Sequence, residues 1–203
     1  MILIWGNEMS EPIAATAPRS NARLTGGVYV LYFLTAVGAG FVSQGRPAVH
    51  DAVDLVSHAF YFAVTLLFYY MFKPVNRSLS LLAACFSLVG CANDVLRLID
   101  VAPYKINSLI FFGPYCLLIG YLIFKSTFLP RILGVLMALA GVGWLMFLSP
   151  LANYLSTYLK VLGFVAEASL MLWLVVMGVN VQRWKEQASA AVERRSTLSI
   201  SHA

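Results

Sequence analysis

Six apolar stretches, each close to the length of a helix that crosses a bilayer, recur along the chain at 24–42, 53–72, 79–99, 106–124, 132–148 and 159–181. A spanning helix needs roughly 20 mostly apolar residues, and it must satisfy its own backbone polar groups because hydrocarbon offers them no water. The intervening segments "SQGRPAVHDA", "KPVNRS", "DVAPYK", "KSTFLPR" and "SPLANYLSTY" are rich in turn formers and charge and too short to hold another domain. The spacing predicts an all-α polytopic membrane protein, a bundle of six transmembrane helices with short loops. A tail over 1–22 would precede a transmembrane domain over 23–183, and a polar tail would follow over 184–203. Composition agrees: the 203 residues are 60% hydrophobic and 11% charged, whereas a soluble domain carries about 25% charged residues.

The net charge of +5 and pI near 9.2 do not point to nucleic acid, because the basic residues sit at helix ends rather than in runs. If the helices alternate in direction, ten fall on one side: Arg19, Arg23, Lys73, Arg77, Lys125, Arg131, Arg183, Lys185, Arg194 and Arg195. The other side has Arg46, Arg97, Lys105 and Lys160. Retention of basic residues on the cytoplasmic side predicts a bacterial inner-membrane protein with both termini inside and the "SQGRPAVHD" loop outside. The lipid bilayer is then its first partner. The start "MILIWGNEMSEPIAATAPRSNAR" lacks the basic opening and long apolar core of a cleaved signal, and Met1 and Met9 serve equally as the first residue. The tail "WKEQASAAVERRSTLSISHA" is expected to fray beyond one or two helical turns.

Cys85, Cys91 and Cys116 lie inside apolar stretches and read as small buried residues; two cysteines six apart on one helix cannot reach disulfide geometry. Ala36 with Gly40, and Gly134 with Ala138, are small pairs that let helices approach closely. Aromatics at span ends, Trp144 and Trp184 among them, suit the interfacial belt. Arg23, Arg77 and Arg131 stand 54 residues apart, each followed three positions on by a small residue, Gly26, Ser80 and Gly134. Three hairpins of equal length account for that spacing more simply than three repeats do.

Polar residues inside the spans form stripes. A helix turns by about 100° per residue, which puts Asn93, Arg97 and Asp100 on one face with Asp94 at its margin. The same arithmetic aligns Asp54, His58, Tyr61, Thr65 and Tyr69. Glu167 lies roughly 12 Å in from the outer end of the sixth span, near mid-membrane. An uncompensated charge there costs about 2.5–3.5 kcal/mol on insertion scales, so each should face the bundle interior and find a partner. Arg97 is the expected partner of Glu167, or of Asp54; Glu167 could instead be protonated, since desolvation favours the neutral acid.

The plainer reading makes these groups polar glue that sets helix register. The functional one makes them an outward-facing cavity that binds or passes a small solute, a proton or a lipid head group. Its candidate ligand-binding residues are Asp54, His58, Asn93, Asp94, Arg97, Tyr115 and Glu167. A structural or regulatory membrane partner is the alternative. A metal-dependent hydrolase is third: His50, His58, Asp51, Asp54 and Asp94 satisfy ligand count, but no HExxH, nucleophile elbow or phosphate loop occurs. No catalytic residue, cofactor or metal ligand is therefore assigned.

The stretch "FFGPYCLLIGYLIFKSTFLPRILGVLMALAGVGWL" from Phe111, then "GFVAEASLMLWLVVMGVNVQRW" from Gly163, resembles a bacterial membrane family known as domain of unknown function 4386. "FKPVNRSLSLLAACFSLV" from Phe72 is similar to the same family's second hairpin. The resemblance spans most of residues 22–184 and implies a multi-pass helical membrane protein without an assigned activity. It places an acidic residue at Glu167 and a basic pair at Lys125 and Arg131. The chain departs from it at Pro114 and Tyr115, where the family pattern has Leu-His, and in its first outer loop.

Overall fold

The computed structural model describes residues 18–42, 47–101 and 106–201. The N-terminal residues around Met1 and Met9, the loop positions Arg46 and Lys105, and His202 lie outside the described residues. Seven helices occur among those described: α1 Pro18–Val42, α2 Pro47–Phe72, α3 Arg77–Leu98, α4 Leu109–Lys125, α5 Arg131–Met146, α6 Ala152–Val176 and α7 Val181–Ser201.

The helix ends follow local chemistry. Pro18 and Pro47 occupy first-turn positions, where a missing N–H costs nothing. The Asn76 side chain accepts the Leu79 N–H at 3.0 Å and opens α3. At the other end of α3, Asp100 adopts φ 57°. There the Val101 N–H reaches the Leu96 carbonyl at 2.9 Å and the Asp100 N–H reaches that of Arg97 at 3.2 Å, a Schellman closure. Two connections read as turns are in part helical: α2 already includes His50 and Asp51, and α6 begins at Ala152.

Helices α1 to α6 form a ring in chain order, each packed on the next, and α6 closes back on α1. The outward surface is apolar, with Leu31, Leu34, Leu81, Val89, Ile132 and Leu139 all exposed, while Thr25, Thr65, Ser80 and Ser87 are buried inside. A water-soluble bundle has the reverse arrangement. Helices α1, α2, α3 and α6 are long and apolar enough to cross a membrane; α4 and α5 are apolar but shorter, at 17 and 16 residues.

The closest approach in the ring is between α4 and α5. A β-carbon added to Gly134 would stand 2.6 Å from the Gly120 carbonyl oxygen, and one added to Gly120 would stand 2.7 Å from the Ala138 nitrogen. Gly113 and Gly141 meet in the same way one layer away. The small pair Gly134 and Ala138 therefore does pack a helix, whereas Ala36 faces a cavity described below.

The small residues that follow Arg23, Arg77 and Arg131 each lie against a neighbouring helix. Gly26 abuts Val175 of α6, the Ser80 hydroxyl donates to the Tyr69 carbonyl of α2 at 3.0 Å, and Gly134 abuts Ile123 of α4. Tyr69 and Ile123 are 54 residues apart, and Val175 follows 52 later. In each case a small residue near the start of a hairpin's first helix meets the helix that precedes it in the ring.

The tail does not fray as expected. Asn180 accepts the Arg183 N–H at 3.1 Å and starts α7, a 21-residue helix rich in Ala, Gln, Glu and Arg, which are strong helix formers. The Trp184 indole donates to the Met71 carbonyl at 3.1 Å, and Gln187 accepts from Thr127 at 3.2 Å. Trp184 is thus a tether of α7 as well as an aromatic at a span end. These bonds, with that of Arg23 to the Val176 carbonyl at 3.4 Å, gather the start of α1, the end of α2, the α4–α5 turn and the end of α6 at one end of the ring. Lys73, Arg77, Lys125, Arg131 and Arg183 also lie there; it is termed the basic end.

Candidate functional site

A cavity of about 330 Å³ opens toward the end opposite the basic one, and all six ring helices contribute to its wall. Tyr32 and Ala36 come from α1, Asp54, His58 and Tyr61 from α2, and Cys91, Asp94 and Arg97 from α3. Asn107, Ser108, Phe112 and Cys116 line it from α4 and its approach, Trp144 from α5 and Glu167 from α6.

The second-span stripe supplies one wall. Asp54, His58 and Tyr61 face the cavity, and the face continues below them to Thr65, whose hydroxyl meets that of Ser87 at 2.6 Å. In the third span the residue expected at the margin is the hub. Asp94 takes a bond from the Ser108 hydroxyl, stands 3.6 Å from His58 Nε2 and 4.0 Å from Arg97 Nη1, and so ties α2, α3 and the start of α4 together. Asn93 does not line the cavity; its amide donates to the Ile106 carbonyl at 3.1 Å and to Ser108 Oγ at 2.6 Å, holding the approach to α4 in place. Asp100 has left the stripe to close the helix.

The expected pairing of Arg97 with Glu167, or with Asp54, is not what the structure has. Arg97 lies at the mouth with its side chain 49% exposed and turns to Asp94 three residues back. Asp54 Oδ1 instead faces the Ser57 hydroxyl at 3.4 Å. Glu167, partly buried and deeper, accepts a bond from the Tyr29 hydroxyl at 2.8 Å across the α1–α6 closure, with Trp144 beside the same carboxyl. A guanidinium at the mouth stays hydrated, whereas reaching Glu167 would forfeit that water.

Tyr61 in the wall and Tyr115 behind it pack edge to face with ring centroids 6.1 Å apart. Tyr115 does not line the cavity. Its hydroxyl is buried and has no hydrogen-bond partner among the described residues. Cys91 and Cys116 are buried free thiols, as expected, and also edge the cavity, whereas Cys85 is exposed rather than buried. Among the described residues no group of three His, Cys, Asp or Glu is placed to hold a metal ion.

Tyr29, Ser108 and Trp144 complete the site although no polar stripe singles them out. Tyr29 reads as one more aromatic in an apolar run and Trp144 as part of the interfacial belt.

Fold and site together define an apolar helical bundle with a polar, aromatic-walled cavity at one end. A family model described as "Domain of unknown function (DUF4386)" matches residues 95–178. That segment includes Arg97, Ser108, Tyr115, Trp144 and Glu167, and leaves out Asp54, His58 and Asp94. An "Uncharacterized protein" of Archaeoglobus fulgidus is 31% identical over 129 residues, covering 57% of this chain and 75% of that protein. The chain belongs to the DUF4386 family. No solved structure matches it.

Proposed function

We propose that this is a six-span membrane protein that binds or passes a small solute through an outward-facing cavity. The observation that carries the reading is the convergence of side chains from six helices on one cavity at the end opposite the basic one. A bundle using polar groups only as glue would pair them within the helix interfaces; here Asp54 and Glu167 face open space. Helices α4 and α5 span about 25 Å, short of the roughly 30 Å core, and the segments at their ends make up the difference. The basic end is cytoplasmic, together with both termini, and the cavity faces the outside of a bacterial inner membrane. Asp54, His58, Arg97 and Glu167 contact the solute, Asp94 positions the mouth, and Asn93 and Tyr115 support from behind.

Access from outside tests this. A cysteine at Ala36, in a background where Cys85, Cys91 and Cys116 are replaced by alanine, should react in intact cells with a membrane-impermeant maleimide. Reaction only after the membrane is opened would reverse the orientation. No reaction in either state would mean that the cavity is closed.

A further inference from the structure

The charge and wall of the cavity narrow the solute, on the reading that the cavity binds one. Asp94 already faces both positive candidates, His58 at 3.6 Å and Arg97 at 4.0 Å, at the mouth. Asp54 and Glu167 remain, each turned to a hydroxyl, Ser57 at 3.4 Å and Tyr29 at 2.8 Å, with no lysine, arginine or histidine at ion-pair distance among the described residues. A carboxylate drawn away from water is costly until a positive charge compensates it. The space between these two carboxylates is walled by aromatic rings: Tyr32 and Tyr61 with centroids 4.7 Å apart, Phe112 against Tyr61 at 5.6 Å, and Trp144 beside Glu167. Ring faces attract cations, most strongly those with a diffuse, weakly hydrated charge.

We infer that the cavity takes a monovalent organic cation of the alkylammonium class. Its charged head lies between Glu167 and Asp54 against the rings of Tyr61 and Trp144. A small inorganic cation needs several ligands converging on one point, and among the described residues no group of three His, Cys, Asp or Glu is so placed. Anions would face the carboxyl groups of Asp54 and Glu167. A cavity of about 330 Å³ sits at the lower end of the ~300–1,000 Å³ range of small-molecule sites, which suits a compact head group.

Three probes of nearly one shape and different charge decide the matter: choline, its neutral isostere 3,3-dimethylbutan-1-ol, and the anion 3,3-dimethylbutanoate. Binding to the full chain in lipid nanodiscs is read by tryptophan fluorescence and by equilibrium dialysis of labelled probe. Choline should bind at least tenfold more tightly than the alcohol, and the anion more weakly still. Glu167→Gln, which keeps an acceptor for Tyr29, should weaken choline at least tenfold and leave the alcohol unchanged. Equal affinity for choline and the alcohol, or preference for the anion, would overturn the cation assignment while keeping the cavity as a binding site. Absence of binding by all three would overturn both.

Discussion

Gly134→Leu is expected to abolish recovery of folded protein from the membrane. A β-carbon at Gly134 would already stand 2.6 Å from the Gly120 carbonyl oxygen and 2.8 Å from the Phe124 nitrogen. Both are backbone atoms of a neighbouring helix, so no rotamer change makes room, and α4 and α5 must separate. Separation also breaks the reciprocal contacts of Gly120 with Ala138 and of Gly113 with Gly141. Overpacking a well-fitted core costs about 1–3 kcal/mol, and a leucine against rigid backbone lies at or beyond the top of that range. Without a hydrophobic drive between helices in lipid, close backbone approach is a main source of their association. Size-exclusion chromatography of detergent-extracted protein measures the outcome: a monodisperse peak for the parent chain and aggregate or no protein for the variant. Gly27→Leu is the control, since nothing stands within 4 Å of that position, and it should elute as the parent does.

Glu167→Ala should destabilise the bundle by about 1–3 kcal/mol, and Glu167→Gln by less than about 1 kcal/mol. The alanine removes the acceptor of the Tyr29 hydroxyl, in a residue only 1% exposed, and an orphaned buried donor costs about 1–3 kcal/mol. The glutamine keeps a carbonyl oxygen where Tyr29 now donates at 2.8 Å. Thermal unfolding in one detergent compares the two. Equal losses would mean that the charge of Glu167, rather than the bond it accepts, holds α1 against α6.

Much of the fold is legible in the sequence because the property that builds it acts over whole helices. Each apolar run from 24–42 to 159–181 overlaps one of α1 to α6 almost throughout. Local signals misled where a distant contact or a cap outweighed composition: α7 reads as a polar tail, yet Asn180 starts it and Trp184 fastens it to Met71. The site was half legible. Helical arithmetic puts Asp54, His58 and Tyr61 on one face, and the cavity confirms that face. The partners were not legible, because pairing depends on which helices are neighbours. Only the closure of α6 on α1 brings Tyr29 to Glu167, and nothing local to either residue announces it. Arg97 was misjudged for a related reason: its height on α3 is legible, but its preference for Asp94 and for water at the mouth is settled by the surrounding geometry.

An experimental density map of the protein, extracted into nanodiscs with choline present, tests the central claim most directly. The expected result is non-protein density between Glu167 and Asp54, against Tyr61 and Trp144, with Arg97 still at the mouth beside Asp94. A cavity filled by side chains, with Arg97 turned inward onto Glu167, would contradict it.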